Sequence, residues 1–218
     1  MKLITDLAET AKVLTESVDG SKRMYIAGPF LMFDKPNRNN RVYPKKVMTE
    51  AVNKYRKEYI ERNRALGEMN HPQGRLQVDP ERACIMTTEL HEDGNYFYGK
   101  AKVLSTPLGK ILENLLEDGV TIGVSSRGVG SVMKKGNLNE VKNDFGLTVA
   151  ADVVFDPSVG DAFVEHLMEE KEYLLIDGAY IERDLFEAKA RIKTVSSINL
   201  EEAKIIEFKR FLSAITAK

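Results

Sequence analysis

Cysteine is almost absent from this chain, because its 218 residues include only Cys84. A single cysteine excludes a disulfide within the chain and any zinc site built from several cysteines. It also favours a reducing compartment, which here means the cytoplasm. Histidine is scarce too, with only His71, His91 and His166. Any chemistry that depends on histidine must therefore use one of these three side chains.

The chain also lacks an excess of charge of one sign and lacks long apolar runs. Its 32 Lys and Arg residues nearly balance 33 Asp and Glu residues, giving a formal net charge of -1, and this argues against a general nucleic-acid partner. No run approaches the roughly 20 apolar residues that cross a bilayer, so we expect no membrane partner. The acidic, interrupted N-terminus does not resemble a secretory signal. What remains, with 43% hydrophobic residues, is one sizeable soluble domain with extensions.

Periodicity and turn residues predict an α+β chain. Residues 1–17 are predicted to form a short amphipathic helix, because Leu3, Leu7, Ala11 and Leu14 recur at helical spacing. The patterns further predict strands at 23–33, 83–90, 96–104, 120–132 and 145–155, and helices at 43–64, 105–117, 162–172, 182–192 and 200–217. We therefore expect a mainly antiparallel sheet or barrel over residues 23–176, surrounded by helices and flanked by helical tails.

The loop at residues 67–72 (Gly-Glu-Met-Asn-His-Pro) is the first candidate site. Pro72 disfavours the helical region for His71, so the histidine is held on a restricted backbone. Such rigidity suits a general base that needs a fixed orientation. The alternative is an ordinary histidine in a surface turn, and the residues alone leave both interpretations open.

The segment at residues 123–128 (Gly-Val-Ser-Ser-Arg-Gly) is the second candidate. A nucleophilic serine needs room for an incoming carbonyl group, and neighbouring glycines leave that room. The alternative is a glycine-rich strand that contains a bulge. Strand alternation does not decide between Ser125 and Ser126 as the nucleophile.

A serine–histidine pair usually needs a third group that orients the imidazole, and Asp152 is the candidate. It interrupts the apolar strand predicted at 145–155, where a carboxylate is costly unless it is paired. The alternative is an acid on the solvated face of an edge strand. Glu68 and Asp79 are weaker candidates, because an acid in a loop is expected to be solvated.

Several motifs in a fixed order resemble one known family, the prohead core protein proteases of T-even-type tailed phages. They are residues 37–44 (Asn-Arg-Asn-Asn-Arg-Val-Tyr-Pro), 67–72, 78–80 (Val-Asp-Pro), 123–128 and 156–158 (Asp-Pro-Ser). Each motif is weak alone, but the series is specific. The resemblance covers about residues 24–162.

The resemblance implies a serine endopeptidase with a fold like that of the herpesvirus assemblins, a small β-barrel ringed by helices. It implies Ser126 as nucleophile, His71 as base and Asp152 as the orienting acid. His91 and His166 lie outside the family motifs, so we expect them to be structural or solvated. Backbone N–H groups are expected to bind the oxyanion. By analogy with the assemblins they would come from the loop that contains Ser158, Val159 and Gly160, and the glycine-flanked turn predicted at Arg127 and Gly128 could also contribute.

The resemblance also implies the substrates. The family cleaves after glutamate in Leu/Ile-x-Glu within scaffold or core proteins, the major capsid protein and itself, inside the prohead that assembles in the host bacterial cytoplasm. We expect no cofactor, and the oligomeric state stays open between a monomer and a homo-oligomer. The same triplet occurs in predicted helices, as at Ile111-Leu112-Glu113, so accessibility must select the sites. Candidate self-cleavage sites are Glu9, Glu16, Glu202 and Glu207.

These implications divide the chain into three parts. Residues 1–20 would be an N-terminal pro-segment, residues 21–178 the serine protease domain, and residues 179–218 a helical C-terminal extension that is partly removed. Glutamate at the cleaved position suggests a cationic pocket, because a guanidinium group can bind a carboxylate with two hydrogen bonds. The candidates for that pocket are Arg38, Arg41, Arg75 and Arg127, each of which is otherwise a solvated surface arginine.

Two competing functions remain. A metal-dependent hydrolase would use His71, Asp79 and His91, although their spacing matches no familiar metal-ligand motif. A non-enzymatic scaffold protein of the capsid interior would bind through its helical tails.

Overall fold

β-Strands dominate the part of the chain that the structure describes. This computed structural model describes residues 2–8, 12–18, 21–37, 39–70, 75–155, 173–176, 179–182 and 205–206. The chain divides into two compact units, residues 1–170 and residues 171–218. None of the helices within the described ranges is long and apolar enough to cross a bilayer.

The strands and helices have the following bounds. The strands are β1 (Lys2–Ala8), β2 (Lys12–Val18), β3 (Ser21–Met32), β4 (Arg41–Val42), β5 (Leu66–Glu68), β6 (Ala83–Asp93), β7 (Tyr96–Val103), β8 (Gly123–Gly130), β9 (Val132–Lys135), β10 (Leu138–Val141), β11 (Gly146–Val154), β12 (Tyr173–Ile176) and β13 (Ala179–Glu182). The helices are α1 (Lys45–Tyr55), a π-helical turn (Arg56–Ile60), a 3₁₀ turn (Pro80–Arg82) and α2 (Pro107–Glu117).

The strands of the first unit form three sheets. The largest has the order β2-β3-β7-β6-β5, and the second has the order β1-β8-β11. The third has the order β4-β10-β9, and within it β4 and β10 pair in parallel. All other strand pairs named here are antiparallel.

A parallel bridge between Met69 and Val153 connects the end of β5 to β11. It joins the largest sheet to the sheet that carries the candidate serines. The sheets together with helices α1 and α2 confirm the mixed α+β class. The predicted barrel is not observed, because the strands of the described residues are not hydrogen-bonded into one closed ring.

The prediction of an N-terminal helix is wrong. Residues 2–8 form β1, which pairs with β8, and residues 12–18 form β2, which pairs with β3. Local spacing of leucines suggested a helix, but the open edges of β8 and β3 provide backbone partners that a local pattern cannot reveal.

The two helices follow the sequence signals closely. Helix α1 begins after Pro44 and buries one apolar face made of Val47, Met48, Ala51, Val52 and Tyr55. Helix α2 begins at Pro107, which suits the first helical position because its missing N–H would be unpaired there. It ends before Asp118-Gly119, where Gly119 has a φ of 84°.

The core of the first unit lies between the sheets and helix α1. Ile26 and Phe30 of β3, Ile85 of β6 and Val153 of β11 are almost completely buried there. Gly67 allows β5 to approach β11 closely, because a Cβ atom there would lie 2.0 Å from the Ala151 carbonyl oxygen. The packing therefore fixes β5, and the loop that follows it, against β11.

In the second unit, β12 and β13 form an antiparallel hairpin. The C-terminal extension predicted from residue 179 thus begins with a strand rather than a helix. Residues 205–206 are helical, as predicted for that tail. The helices predicted at 162–172 and 182–192 lie outside the described residues, apart from Glu182, which ends β13.

Candidate active site

Both candidate serines lie within β8, which has β1 on one side and β11 on the other. Ser125 and Ser126 are buried, with 3% and 7% of their surface exposed. In β11 the register shifts between Val149 and Asp152, which pair with Arg127 and Ser125. An irregularity in β11 therefore lies opposite Ser126, so the extra residue is in the partner strand and not in the glycine-rich segment 123–128.

Each serine hydroxyl contacts the peptide backbone of β1. The Oγ atom of Ser125 donates a hydrogen bond to the carbonyl oxygen of Asp6 at 2.9 Å, and the Oγ atom of Ser126 does so at 3.4 Å. Asp6 is also the register partner of Ser126 across the two strands. The serine strand thus has a peptide carbonyl directly at its hydroxyl groups.

The side chain of Asp6 binds to the loop before helix α1. Its Oδ1 atom accepts hydrogen bonds from Asn37 Nδ2 at 2.5 Å, Asn39 Nδ2 at 3.2 Å and Arg41 Nη1 at 3.0 Å. Its Oδ2 atom accepts a hydrogen bond from the hydroxyl of Tyr43. Burial, together with the negative charge of Asp6, raises the pKa of Tyr43 well above its usual value, so Tyr43 stays protonated as a donor.

Asp152 is fully buried and paired, so the solvated-acid interpretation is wrong. Its Oδ1 atom accepts a hydrogen bond from the Glu68 backbone N–H at 2.7 Å and another from Arg127 Nη2 at 3.1 Å. Its Oδ2 atom lies 2.6 Å from Arg127 Nε. This pairing compensates the cost of burying the Asp152 charge.

Glu68 extends this ionic network, although the sequence suggested a solvated acid. It is fully buried, and its Oε2 atom accepts a hydrogen bond from Arg127 Nη2 at 2.8 Å. Its Oε1 atom accepts from Arg75 Nη2 at 2.5 Å and from the Asp79 backbone N–H at 2.9 Å. Arg75 in turn binds Asp79 at 3.0 Å, so two guanidinium groups share three carboxylates.

The network also fixes the start of the loop that contains His71. The backbone N–H of Asn70 donates to the Val153 carbonyl oxygen at 2.8 Å, one residue beyond Asp152. Asn70 has a φ of 61°, a left-handed conformation that asparagine tolerates better than most residues. The chain therefore reaches the residue before His71 while held against β11.

With this geometry established, sequence comparison identifies the family. The profile of the family described as prohead core protein serine protease matches residues 6–172. The chain belongs to this family. That assignment makes it a phage prohead protease, and it confirms the resemblance that the motifs carried.

Two individual relatives agree with the family assignment. The prohead core protein protease of Enterobacteria phage T4 is 40% identical over 145 residues, which span 65% of this chain and 68% of the relative. The solved structure of the bacteriophage T4 capsid assembly protease matches with a TM-score of 0.68 at 34% identity, and the match covers 72% of this chain and 98% of that chain. The fold of this chain is thus that of a prohead protease.

Several of the predicted site residues of this prohead protease lie outside the part of the chain that the structure describes. They are His71, Ser158, Val159, Gly160, Glu9, Glu202 and Glu207, together with His166 and Arg38. Glu16 lies in strand β2, opposite Arg23. Arg127 and Gly128 belong to β8 and not to a turn, because the strand continues to Gly130.

Among the arginines proposed for a cationic pocket, the structure separates three roles. Arg127 is fully buried and binds Glu68 and Asp152, while Arg75 binds Glu68 and Asp79. Arg127 is therefore not the solvated surface arginine of the alternative interpretation, whereas Arg75 is paired but keeps 38% of its side-chain surface exposed. Arg41 instead contacts Asp6 beside the serines.

No described residues support the metal-hydrolase alternative. Within the described ranges, no cluster of three or more His, Cys, Asp or Glu side chains has the arrangement of a metal site. Asp79 binds Arg75, and its Oδ1 atom accepts a hydrogen bond from the Glu81 backbone N–H at 3.0 Å. His91 is exposed on β6, next to the ring of Tyr98.

Sequence reasoning missed Asp6, which lies in a segment predicted to be helical. A signal was present, because Ile4-Thr5-Asp6 differs from the expected Leu/Ile-x-Glu triplet by a single methylene group. The segment is also charged and short, so it resembles any amphipathic N-terminus. Only its pairing with β8 reveals that it reaches the serines.

Proposed function

We propose that this prohead protease is a serine endopeptidase that cleaves after glutamate in Leu/Ile-x-Glu, with Ser126 as nucleophile. The observation that carries the proposal is the contact between the serine hydroxyls and a peptide carbonyl. Strand β1 lies along β8 as an extended peptide, with the Asp6 carbonyl oxygen 2.9 Å from Ser125 Oγ and 3.4 Å from Ser126 Oγ. The choice of Ser126 over Ser125 rests on the family resemblance. Adding an extended peptide to a sheet as a further strand is a recurring mode of peptide recognition, and a substrate would lie along β8 as β1 does.

In the proposed mechanism, His71 removes the proton from Ser126 Oγ as the oxygen attacks the carbonyl carbon of the scissile peptide bond. The bond to the leaving amine breaks, His71 returns the proton to that amine, and an acyl-enzyme remains on Ser126. Water then hydrolyses the acyl-enzyme with the same base. Backbone N–H groups of residues 158–160, or of Arg127 and Gly128, would stabilise the oxyanion.

Asp152 would orient His71 and stabilise its protonated form. Two features support this role. Asn70, the chain neighbour of His71, is hydrogen-bonded to Val153, the chain neighbour of Asp152. The described network around Asp152 also contains three carboxylates for two guanidinium groups, so a further positive charge nearby would be stabilised.

The proposed substrates are the scaffold or core proteins and the major capsid protein, cleaved inside the prohead. The names of the T4 relatives support this, since they describe a prohead core protein protease and a capsid assembly protease. The enzyme would also process itself. A homo-oligomer and host-cytoplasmic assembly of the prohead belong to the same proposal and rest on the family resemblance.

Exposure supports two of the self-cleavage sites. Leu14, two residues before Glu16, is 40% exposed on β2, an edge strand of the largest sheet. Ile205 and Ile206, which precede Glu207, are 53% and 46% exposed. In the similar triplet before Glu113, Ile111 is 48% exposed but the middle residue, Leu112, is completely buried in helix α2. Cleavage after Glu113 would therefore require that helix to unfold.

The test combines cleavage of a peptide that contains Leu-Thr-Glu with intact-mass analysis of the purified chain. Ser126→Ala is expected to lower kcat/KM by more than about 1,000-fold and to leave the chain at full length. Ser125→Ala should lower kcat/KM by less than about 10-fold. Asp152→Asn should reduce kcat while peptide binding to the enzyme remains.

Three results would contradict parts of this proposal. Identical termini in the wild type and in Ser126→Ala would argue against self-processing. Loss of activity in Ser125→Ala but not in Ser126→Ala would exchange the two serines. Activity that a chelator abolishes and Ser126→Ala preserves would instead favour a metal-dependent hydrolase.

A further inference from the structure

The loop before helix α1 folds so that four donors point at one carboxylate. Asn37 organises this loop, because its Oδ1 atom accepts hydrogen bonds from the backbone N–H groups of Asn39 at 3.0 Å and Arg41 at 2.9 Å. Its own backbone N–H donates to the Arg41 carbonyl oxygen at 2.9 Å. The side-chain amides of Asn37 and Asn39 then meet the Arg41 guanidinium at the Asp6 carboxylate.

Two of the four donors are buried and the two asparagines are partly exposed, which distinguishes this site from surface residues that happen to meet an acid. Arg41 and Tyr43 are only 5% and 4% exposed, and the ring of Tyr43 packs edge-on against Phe145. These four contacts to the Asp6 carboxylate all come from donors, and one donor carries a positive charge. Such a site suits a carboxylate far better than a neutral amide of the same shape.

The position of this site along the bound strand decides which substrate residue would enter it. Asp6 places its side chain among the four donors while its own carbonyl oxygen contacts Ser126 Oγ. The carbonyl beside the nucleophile belongs to the residue that precedes the scissile bond. A peptide bound like β1 therefore places the side chain of that residue in the carboxylate site.

We propose that Asn37, Asn39, Arg41 and Tyr43 form the pocket that recognises the acidic residue at the cleaved position, and that Ile4-Thr5-Asp6 of the same chain occupies it as a substrate-like strand. This inference deepens the proposed function and rests on it. It selects Arg41 from the four arginine candidates. It also gives a role to residues 37–43, whose motif is part of the family resemblance.

The segment around Asp6 copies the proposed substrate in two respects. Ile4 stands two residues before the acid, as in Leu/Ile-x-Glu, and it is only 3% exposed where it pairs with Gly128. Asp6 supplies the carboxylate on a side chain one methylene shorter than that of glutamate. The segment would therefore compete with substrates for β8 and for the pocket.

The experiment compares two peptides that differ only at the cleaved position, Leu-Thr-Glu and Leu-Thr-Gln. The full chain is tested as wild type and as Arg41→Met, Tyr43→Phe and Asp6→Ala. Arg62→Met is the matched control, because Arg62 is an exposed arginine outside the site. Tyr43→Phe keeps the ring that packs on Phe145 and removes only the hydroxyl group, so it guards against misfolding of Arg41→Met.

Arg41→Met should lower kcat/KM about 100-fold for the Glu peptide and less than about 3-fold for the Gln peptide, because a neutral side chain gains little from the guanidinium group. Tyr43→Phe should lower the Glu preference, which is the ratio of kcat/KM for the Glu peptide to kcat/KM for the Gln peptide, about 10-fold. Asp6→Ala should lower KM for the Glu peptide about 10-fold, because the competing strand loses its carboxylate contacts. Arg62→Met should leave kcat/KM unchanged for both peptides.

Equal losses on both peptides in Arg41→Met, or an unchanged Glu preference in Tyr43→Phe, would overturn the pocket assignment. An unchanged KM in Asp6→Ala would overturn the competition by β1.

A catalysis-independent measurement separates this inference from the proposed function. The Glu peptide, carrying a fluorophore, is titrated with Ser126→Ala/Asp6→Ala, with and without Arg41→Met.

If no variant cleaves either peptide but binding depends on Arg41, the pocket stands and the proposed protease function fails. If binding of the Glu peptide does not depend on Arg41, the pocket assignment is wrong whatever the activity.

Discussion

Arg127 separates two buried carboxylates that would otherwise repel each other. It is fully buried, and it contacts Glu68 and Asp152, which are themselves fully buried. Arg127→Met should therefore lower the free energy of unfolding by about 3–5 kcal/mol, since both acids lose a buried partner. Urea denaturation followed by circular dichroism measures the change.

The control for this prediction is Arg62→Met, which removes the same charge from an exposed position. It should alter the free energy of unfolding by less than about 0.5 kcal/mol. A loss of similar size in both variants would show that the buried network is not what makes Arg127 important.

The buried thiol of Cys84 should make the free energy of unfolding depend on pH. Burial, reinforced by the negative charge of Asp152, raises the pKa of Cys84 from 9.0 to about 12. Above pH 9 the thiol ionises in the unfolded chain but not in the folded one, so the folded state loses stability as pH rises. At pH 10 this loss should be about 1.4 kcal/mol.

Unfolding of the wild type and of Cys84→Ala at pH 7 and pH 10 tests this effect. The wild type should lose about 1.4 kcal/mol more than the variant over that interval, whatever the variant's own stability. Equal losses in both proteins would mean that Cys84 does not titrate differently in the folded and unfolded states.

At the residue scale, sequence reasoning could name side chains but not their contacts. Only the family resemblance implies Ser126, because strand alternation leaves Ser125 and Ser126 open, whereas the apolar strand around Asp152 indicates that acid from the sequence itself. Arg127 was assigned to the oxyanion loop because glycines flank it, yet its side chain binds Glu68 and Asp152. Burial of Glu68 follows from the packing of β5 on β11, two segments far apart in sequence, so no local signal announced it.

At the scale of elements, Thr106 is expected to hold helix α2 in place. Its Oγ1 atom accepts a hydrogen bond from the Gly109 backbone N–H at 3.2 Å and donates one to the Ala83 carbonyl oxygen at 2.5 Å. Thr106→Ala should therefore lower the free energy of unfolding by about 1–2 kcal/mol. Thermal and urea denaturation measure this loss.

Ser105→Ala is the matched control, because Ser105 is an exposed neighbour that precedes the cap. We expect it to change stability by less than about 0.5 kcal/mol. If the two variants were equally stable, Thr106 would not act as the cap of α2.

The elements show which kinds of signal can be trusted. Helix α2 and the hairpin of β6 and β7 were predicted nearly to the residue, because a cap, a proline and the turn at Gly94 act locally. Strands β1 and β2 were predicted as a helix. Their conformation depends on pairing with β8 and β3, and such pairing is invisible in a window of 17 residues.

At the scale of the whole molecule, the position of β1 makes a kinetic prediction about self-processing. As long as β1 lies on β8, the serines are covered by their own chain. The first cut after Glu16 should therefore be made by another molecule whose β1 has detached. Processing should start after a lag, and its initial rate per molecule should rise in proportion to protein concentration.

Intact-mass analysis over time at several protein concentrations measures this dependence. Asp6→Ala should shorten the lag, because β1 detaches more easily. A rate per molecule that is independent of concentration would indicate cleavage within one chain.

The overall class was predictable, whereas the closure of the sheets was not. Alternating strands and the helices that begin near Pro44 and Pro107 indicated an α+β fold, and the ordered motifs indicated the prohead protease family, which the profile over residues 6–172 confirms. The described strands form separate sheets joined at the Met69–Val153 bridge. Register shifts such as those in β11 decide whether sheets close, and the sequence does not reveal them.

The short connection between β1 and β2 has a consequence for where the proposed enzyme can work. Strand β2 is fixed to β3, so β1 is tethered beside β8 at an effective concentration of about millimolar. Dilute substrates at micromolar concentration compete poorly against such a tethered strand. Core and capsid proteins crowded inside a closed shell reach comparable concentrations, so β1 would make activity depend on confinement itself.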